Sequence, residues 1–160
     1  GIQPAIRHAK LLEYEKIEPE EKAEPAAEEP VEIQARPVMV TEVSGKLEIL
    51  NKDRQTWREI TAGAILNPND VIRTYEGSIA HIRIGGASDY ITMSGKTKIV
   101  IKKIEKDPKA QETRTQLDVI VGEILSEVDK LEGASTYEVH TPTLVAGVRG
   151  TIFRVEVHWK

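Results

Sequence analysis

From Val38 onward, apolar and polar residues alternate in short runs, broken by turn residues about every eight to twelve positions. Val38 to Val43 ends at Ser44-Gly45, and Lys46 to Leu50 ends at Asn51-Lys52-Asp53. Asn67-Pro68-Asn69-Asp70 is a strong turn signal. Ile79 to Ile84 alternates and stops at Gly85-Gly86; Tyr90 to Met93 stops at Ser94-Gly95. Thr97, Ile99 and Ile101 oppose Lys98, Val100 and Lys102, and Glu105-Lys106-Asp107-Pro108-Lys109 predicts an exposed loop. Leu117 to Val121 and, after Gly122, Ile124 to Val128 predict two further strands. Helical periodicity is nearly absent here. The pattern predicts an all-β unit, either a compact sandwich or jelly-roll-like domain or a short β-solenoid.

The last stretch, Tyr137 to Trp159, predicts two strands joined by a tight crossing. Val139, then Phe153, Val155 and Val157, alternate with polar neighbours. Between them lie Thr141-Pro142-Thr143 and Val148-Arg149-Gly150-Thr151, where proline removes a backbone donor and glycine allows a close approach. Arg149 has two readings. Its donors could satisfy backbone carbonyls as an internal clamp, which is favoured, or could capture an anionic ligand. Trp57 and Trp159 are expected to cap core regions, with packing against a neighbouring chain an equal reading for the penultimate Trp159.

Residues 1–37 are of a different kind. They hold five of the eight prolines, one of the eleven glycines, and nine glutamates against five basic residues. The whole net charge of -4 therefore sits in this segment, and 38–160 is balanced. Ala5 to Ile17 could form a short helix, marginal unless it lies on something. Glu18 to Pro30 has the composition of a stiff, self-repelling linker. Val31, Ile33 and Ala35 then alternate with polar residues between Pro30 and Pro37, as an edge strand would. The expected organisation is an extended N-terminal segment, 1–37, followed by a β domain, 38–160.

Composition removes several classes of function. A pI near 5.7 and 4% aromatic residues argue against nucleic acid as a partner. The absence of cysteine excludes disulfides and thiolate chemistry. No apolar run approaches the eighteen or so residues of a membrane span, so a mature chain that does not cross a membrane is expected. Gly1 in place of methionine suggests a removed leader or a trimmed chain.

No catalytic constellation emerges. His8, His81, His140 and His158 include no pair at helical zinc spacing, although His140 and His158 would approach one another if their strands paired. Gly85-Gly86-Ala87-Ser88 lacks the spacing of a phosphate cradle. Asp70 is expected to accept backbone N–H groups within its turn. Asp89 also sits at a turn. No catalytic residue, metal or cofactor is expected.

Thr141-Pro142 followed by Val148-Arg149-Gly150-Thr151 and Phe153 resembles the signature of the FecR-type domain, the periplasmic sensory domain of iron-dicitrate-type signalling proteins. Trp57, Gly63, Asp70-Val71-Ile72-Arg73-Thr74, Gly77-Ser78-Ile79-Ala80 and Leu117 through Ile124 extend the resemblance to roughly Val40–Val157. The usual Asp-Gly-Ser before a central strand is replaced by Gly86-Ala87-Ser88-Asp89, and the sequence stops at Lys160 where many members continue into further strands. The resemblance thus implies the fold and a periplasmic or cell-surface location more firmly than anti-sigma regulation. The leading expectation is a non-enzymatic extracytoplasmic module that binds a protein partner or copies of itself. The alternative is a structural subunit of an extracellular filament or surface layer, assembled by strand addition through Val31, Ile33 and Ala35. Carbohydrate binding ranks below both, because exposed aromatics are few.

Overall fold

The computed structural model describes residues 33–85, 89–129, 131, 133–148 and 151–158. Val31, Arg149, Gly150, Trp159, Gly86-Ala87-Ser88 and the expected N-terminal helix and linker lie outside the described residues. The unit beginning at Ile33 is all-β, a largely antiparallel sheet that curls into a half-barrel. Its strands are β1 (Gln34–Ala35), β2 (Val38–Ser44), β3 (Leu47–Leu50), β4 (Trp57–Ile60), β5 (Ile65–Leu66), β6 (Val71–Thr74) and β7 (Ile79–Ile84). They continue with β8 (Asp89–Met93), β9 (Lys98–Asp107), β10 (Glu112–Val128), β11 (Thr136–His140), β12 (Val145–Gly147) and β13 (Thr151–Val157).

Two of these depart from the sequence reading. Glu105-Lys106-Asp107 are not loop: β9 runs on to Asp107 because β10 supplies a partner for the whole length, pairing Asp107 with Glu112. And the two strands expected at Leu117–Val121 and Ile124–Val128 are one strand of 17 residues, bent at Gly122.

That bend organises everything else. The first half of β10 pairs with β9 on one side and, in parallel, with β11 on the other. Its second half pairs with β8 and β13. The order through the first half is β4-β3-β6-β9-β10-β11-β12, and through the second β13-β10-β8-β7-β2-β5. Gly122 has φ of +101°, and a Cβ there would stand 2.5 Å from the Thr97 Cα and 2.7 Å from the Lys96 carbonyl oxygen. Only glycine fits both the backbone angle and the approach. The register of β10 on β9 also slips between Val119 and Val121, just ahead of the corner.

The inner faces of both halves meet in one core. Leu47, Ile49, Ile72, Ile99, Ile101, Leu117 and Val139 come from the first, and Val40, Ala80, Ile82, Ile91, Met93 and Ile124 from the second. Alternation explains the choice: on β7, Ala80, Ile82 and Ile84 are buried while Ile79, His81 and Arg83 point outward.

Candidate functional site

The final crossing is not two strands but three. β11 and β12 form a hairpin at one end of the first half-sheet, whereas β13 lies on the second. β11 and β13 do not pair; each takes a different stretch of β10, residues 114–118 and 122–128. The chain between those stretches, including Ile120, forms the floor of a fork.

The hairpin turn is closed by its own side chains. The Thr141 N–H donates to the Leu144 carbonyl at 2.8 Å, and the Leu144 N–H donates to Thr141 Oγ1 at 3.1 Å. Pro142, which has no N–H, loses nothing in this turn. Its direction sets Leu144 and Ala146 opposite Phe153, Val155 and Val157 of β13, and a groove of about 770 Å³ opens between them. The walls are mostly apolar. Leu144 and Val145 are 53% and 59% exposed, high for residues of this type beside a core. Phe153 sets its ring edge-on to buried Tyr137, 6.0 Å between centroids, which fixes the inner wall. At the rim Arg154 meets Glu123 at 3.7 Å and His158 meets Glu156 at 3.2 Å.

Asp70 and Thr74 make hydrogen bonds within a turn and between strands. Asp70 Oδ2 accepts the Asn67 N–H at 2.7 Å. Thr74 Oγ1 donates to the Ser94 carbonyl at 2.5 Å and accepts the Thr97 N–H at 3.1 Å. Thr97 Oγ1 in turn accepts the Glu123 N–H at 3.0 Å, so the chain of bonds ends beside the Gly122 corner.

Arg73 lies on the outer face and donates to Glu48 Oε1 from Nε at 2.9 Å and from a terminal nitrogen at 2.8 Å. Tyr75 Oη donates to the same oxygen at 2.5 Å. The Tyr75 hydrogen bond, with Arg73 and Lys46 nearby, holds the Glu48 carboxyl below its ordinary pKa. Trp57 caps no core. It is half-buried on this outer face, opposite Leu50 of β3, with the Arg73 guanidinium 3.8 Å above its ring.

His140 and His158 each contact a glutamate of their own strand, Glu138 at 2.8 Å and Glu156 at 3.2 Å. The structure does not pair the strands that carry them. Ala35 pairs with Glu105 of β9 in the same chain, while Ile33 is exposed just before β1.

The arginine seen reaching into the interior is Arg36, which sequence reasoning passed over. It donates to Thr115 Oγ1 and, at 3.5 Å, to the Arg114 carbonyl. Burial lowers its pKa, partly offset by Asp89 and Tyr137. Asp89 accepts the Asp129 N–H at 2.9 Å, and burial raises its pKa. Nothing in Ala35-Arg36-Pro37 announces this role. The groove was more accessible, because Leu144-Val145-Ala146 is an apolar run without alternation.

The sequence profile of the FecR protein family matches residues 70–159, more than half of the chain. The chain belongs to this family. FecR domains are signalling, sensor-type units of a regulatory rather than an enzymatic family. The match begins at Asp70 and takes in both halves of β10 and the groove. Comparison with curated proteins and with solved structures gave no match. Among the described residues, no helix is long and apolar enough to cross a membrane.

Proposed function

We propose that this FecR-type unit is a non-enzymatic extracytoplasmic module that binds another protein through the β12 end of its sheet. The observation that carries this reading is the groove between Leu144-Ala146 and Phe153-Val157, an apolar cleft that opens beside exposed Leu144 and Val145. Exposed apolar surface contiguous with a cleft is characteristic of protein contact sites. Membership of a family whose domains are typically extracytoplasmic regulators supports the location. Assembly by donation of Val31, Ile33 and Ala35 is less favoured, because Ala35 is already occupied by Glu105 of its own chain.

A photo-reactive residue placed at Leu144 and, separately, at Lys52 in the β3–β4 turn tests this in the source organism. Irradiation should give a heavier protein adduct from position 144 and none from position 52. Absence of an adduct from position 144 and from further positions around the groove would overturn the reading.

A further inference from the structure

We infer that the groove's partner is an extended strand of another protein, paired with the outer edge of β12 and seating an apolar side chain in the groove. This rests on the protein-binding reading above and specifies how the partner is held.

The main chain defines the partner first. Inside the hairpin, the Thr141 N–H donates to the Leu144 carbonyl at 2.8 Å and the Val148 N–H to the Tyr137 carbonyl at 2.9 Å. Antiparallel alternation therefore turns the backbone groups of residues 144, 146 and 148 toward β11, and those of Val145 and Gly147 away from it. Among the described residues no strand lies on that outer side. Donors and acceptors repeated every second residue along extended backbone are matched by another extended backbone.

The other end strands are defended, and β12 is not. β4 carries Arg58 and Glu59, β13 carries Arg154 and Glu156, β5 is two residues long and followed by Asn67-Pro68, and β1 is two residues long and followed by Arg36-Pro37. Charge, brevity and proline are the usual barriers to strand addition. β12 is Val145-Ala146-Gly147, with neither charge nor proline. Among the described residues nothing lies within 4 Å of the position a Gly147 Cβ would take, so the sheet face beside this edge is uncrowded.

The groove then selects side chains. Ala146 pairs across the hairpin with buried Val139, so Ala146 and Leu144 face the interior side, toward Phe153. A strand added to β12 continues the pleat and places alternate side chains on that same side. The rim arginine is already paired locally, Arg154 lying 3.7 Å from Glu123 and 3.9 Å from Glu156. Selection therefore falls on apolar residues at every second position.

The test uses the full chain and short fluorescent peptides in which threonine alternates with valine, leucine or phenylalanine, read by anisotropy. At least one peptide should bind saturably. Gly147→Pro should weaken it about tenfold or more at unchanged Tm, because the deleted N–H has no partner among the described residues. N-methylating the peptide's pairing amides should do the same with the parent chain. If Gly147→Pro and N-methylation leave affinity intact while Phe153→Ala weakens it, the groove binds side chains without strand pairing. The strand inference then falls and the binding-module reading stands. Binding by none of the peptides also overturns the inference. Self-association abolished by Gly147→Pro would replace the foreign strand with a second copy.

Discussion

The first half-sheet ends in two very different ways. At β4 the face beside the edge carries a polar network: Arg73 stacks on Trp57 at 3.8 Å and bonds Glu48, which also receives Tyr75 and Lys46. Lys98 adds a second cation 5.6 Å from the Trp57 ring. At β12 no such network exists among the described residues; Leu144 and Val145 face solvent beside an apolar groove. Both ends belong to one sheet and one core. The difference teaches that an open edge here is local chemistry, since the same sheet surrounds its other end with charged and aromatic side chains gathered from β3, β4, β6 and β9.

The largest effect should come from breaking the strand that links the groove to the core. Gly122→Val forces a branched side chain into a φ of +101° and against Thr97 and Lys96. A loss of about 3 kcal/mol or more is expected in urea unfolding. An unchanged midpoint would show that β10 does not need its corner.

Next comes a direct contrast of the two ends. Arg73→Ala removes two charge-assisted bonds and the stack on Trp57, and should cost about 1–3 kcal/mol. Leu144→Ser should change stability by no more than about 0.5 kcal/mol, because its side chain is already half in water. Comparable losses from both would erase the distinction between a sealed and an unsealed end.

The smallest expected effect is in pH dependence. The Glu48 pKa is depressed in the folded chain, so its contribution is present above its unfolded value of about 4.3 and is lost as pH falls through the folded value. Asp89 has the opposite sign. Its folded pKa is raised, so its contribution is present below its unfolded value of about 3.9 and is lost as pH rises through the folded value. Relative to the parent chain, Glu48→Gln should lose its disadvantage on acidification, and Asp89→Asn should lose its disadvantage as pH increases. Unfolding midpoints between about pH 3 and pH 7 check both signs. Parallel profiles for the two variants would contradict the assignment of the two environments.

The strands of the core were legible because alternation is a local property. Ala80, Ile82 and Ile84 could be read as one inner face without knowing what they touch. The turn at Asn67 to Asp70 was legible for the same reason. What resisted was long-range. Gly122 signals a break, but only its fit against Thr97 and Lys96 shows that the strand bends there and continues. Trp57 looked like a core residue until Arg73, sixteen positions on, was found above its ring. Arg36 acts through Thr115, 79 positions away, and no spacing rule reaches that far. The groove joins residues 120, 144 and 153, which only the fork of β10 brings together.

Backbone amide hydrogen exchange at the two ends, with and without the tightest-binding peptide, tests the central claim most directly. The outward amides are Val145 and Gly147 on β12 and, by the same alternation, Trp57 and Glu59 on β4. All four should exchange rapidly in the chain alone. On adding the peptide, Val145 and Gly147 should become protected while Trp57 and Glu59 stay unchanged. Protection at Trp57 and Glu59, or none at Val145 and Gly147 under saturating peptide, would contradict the account.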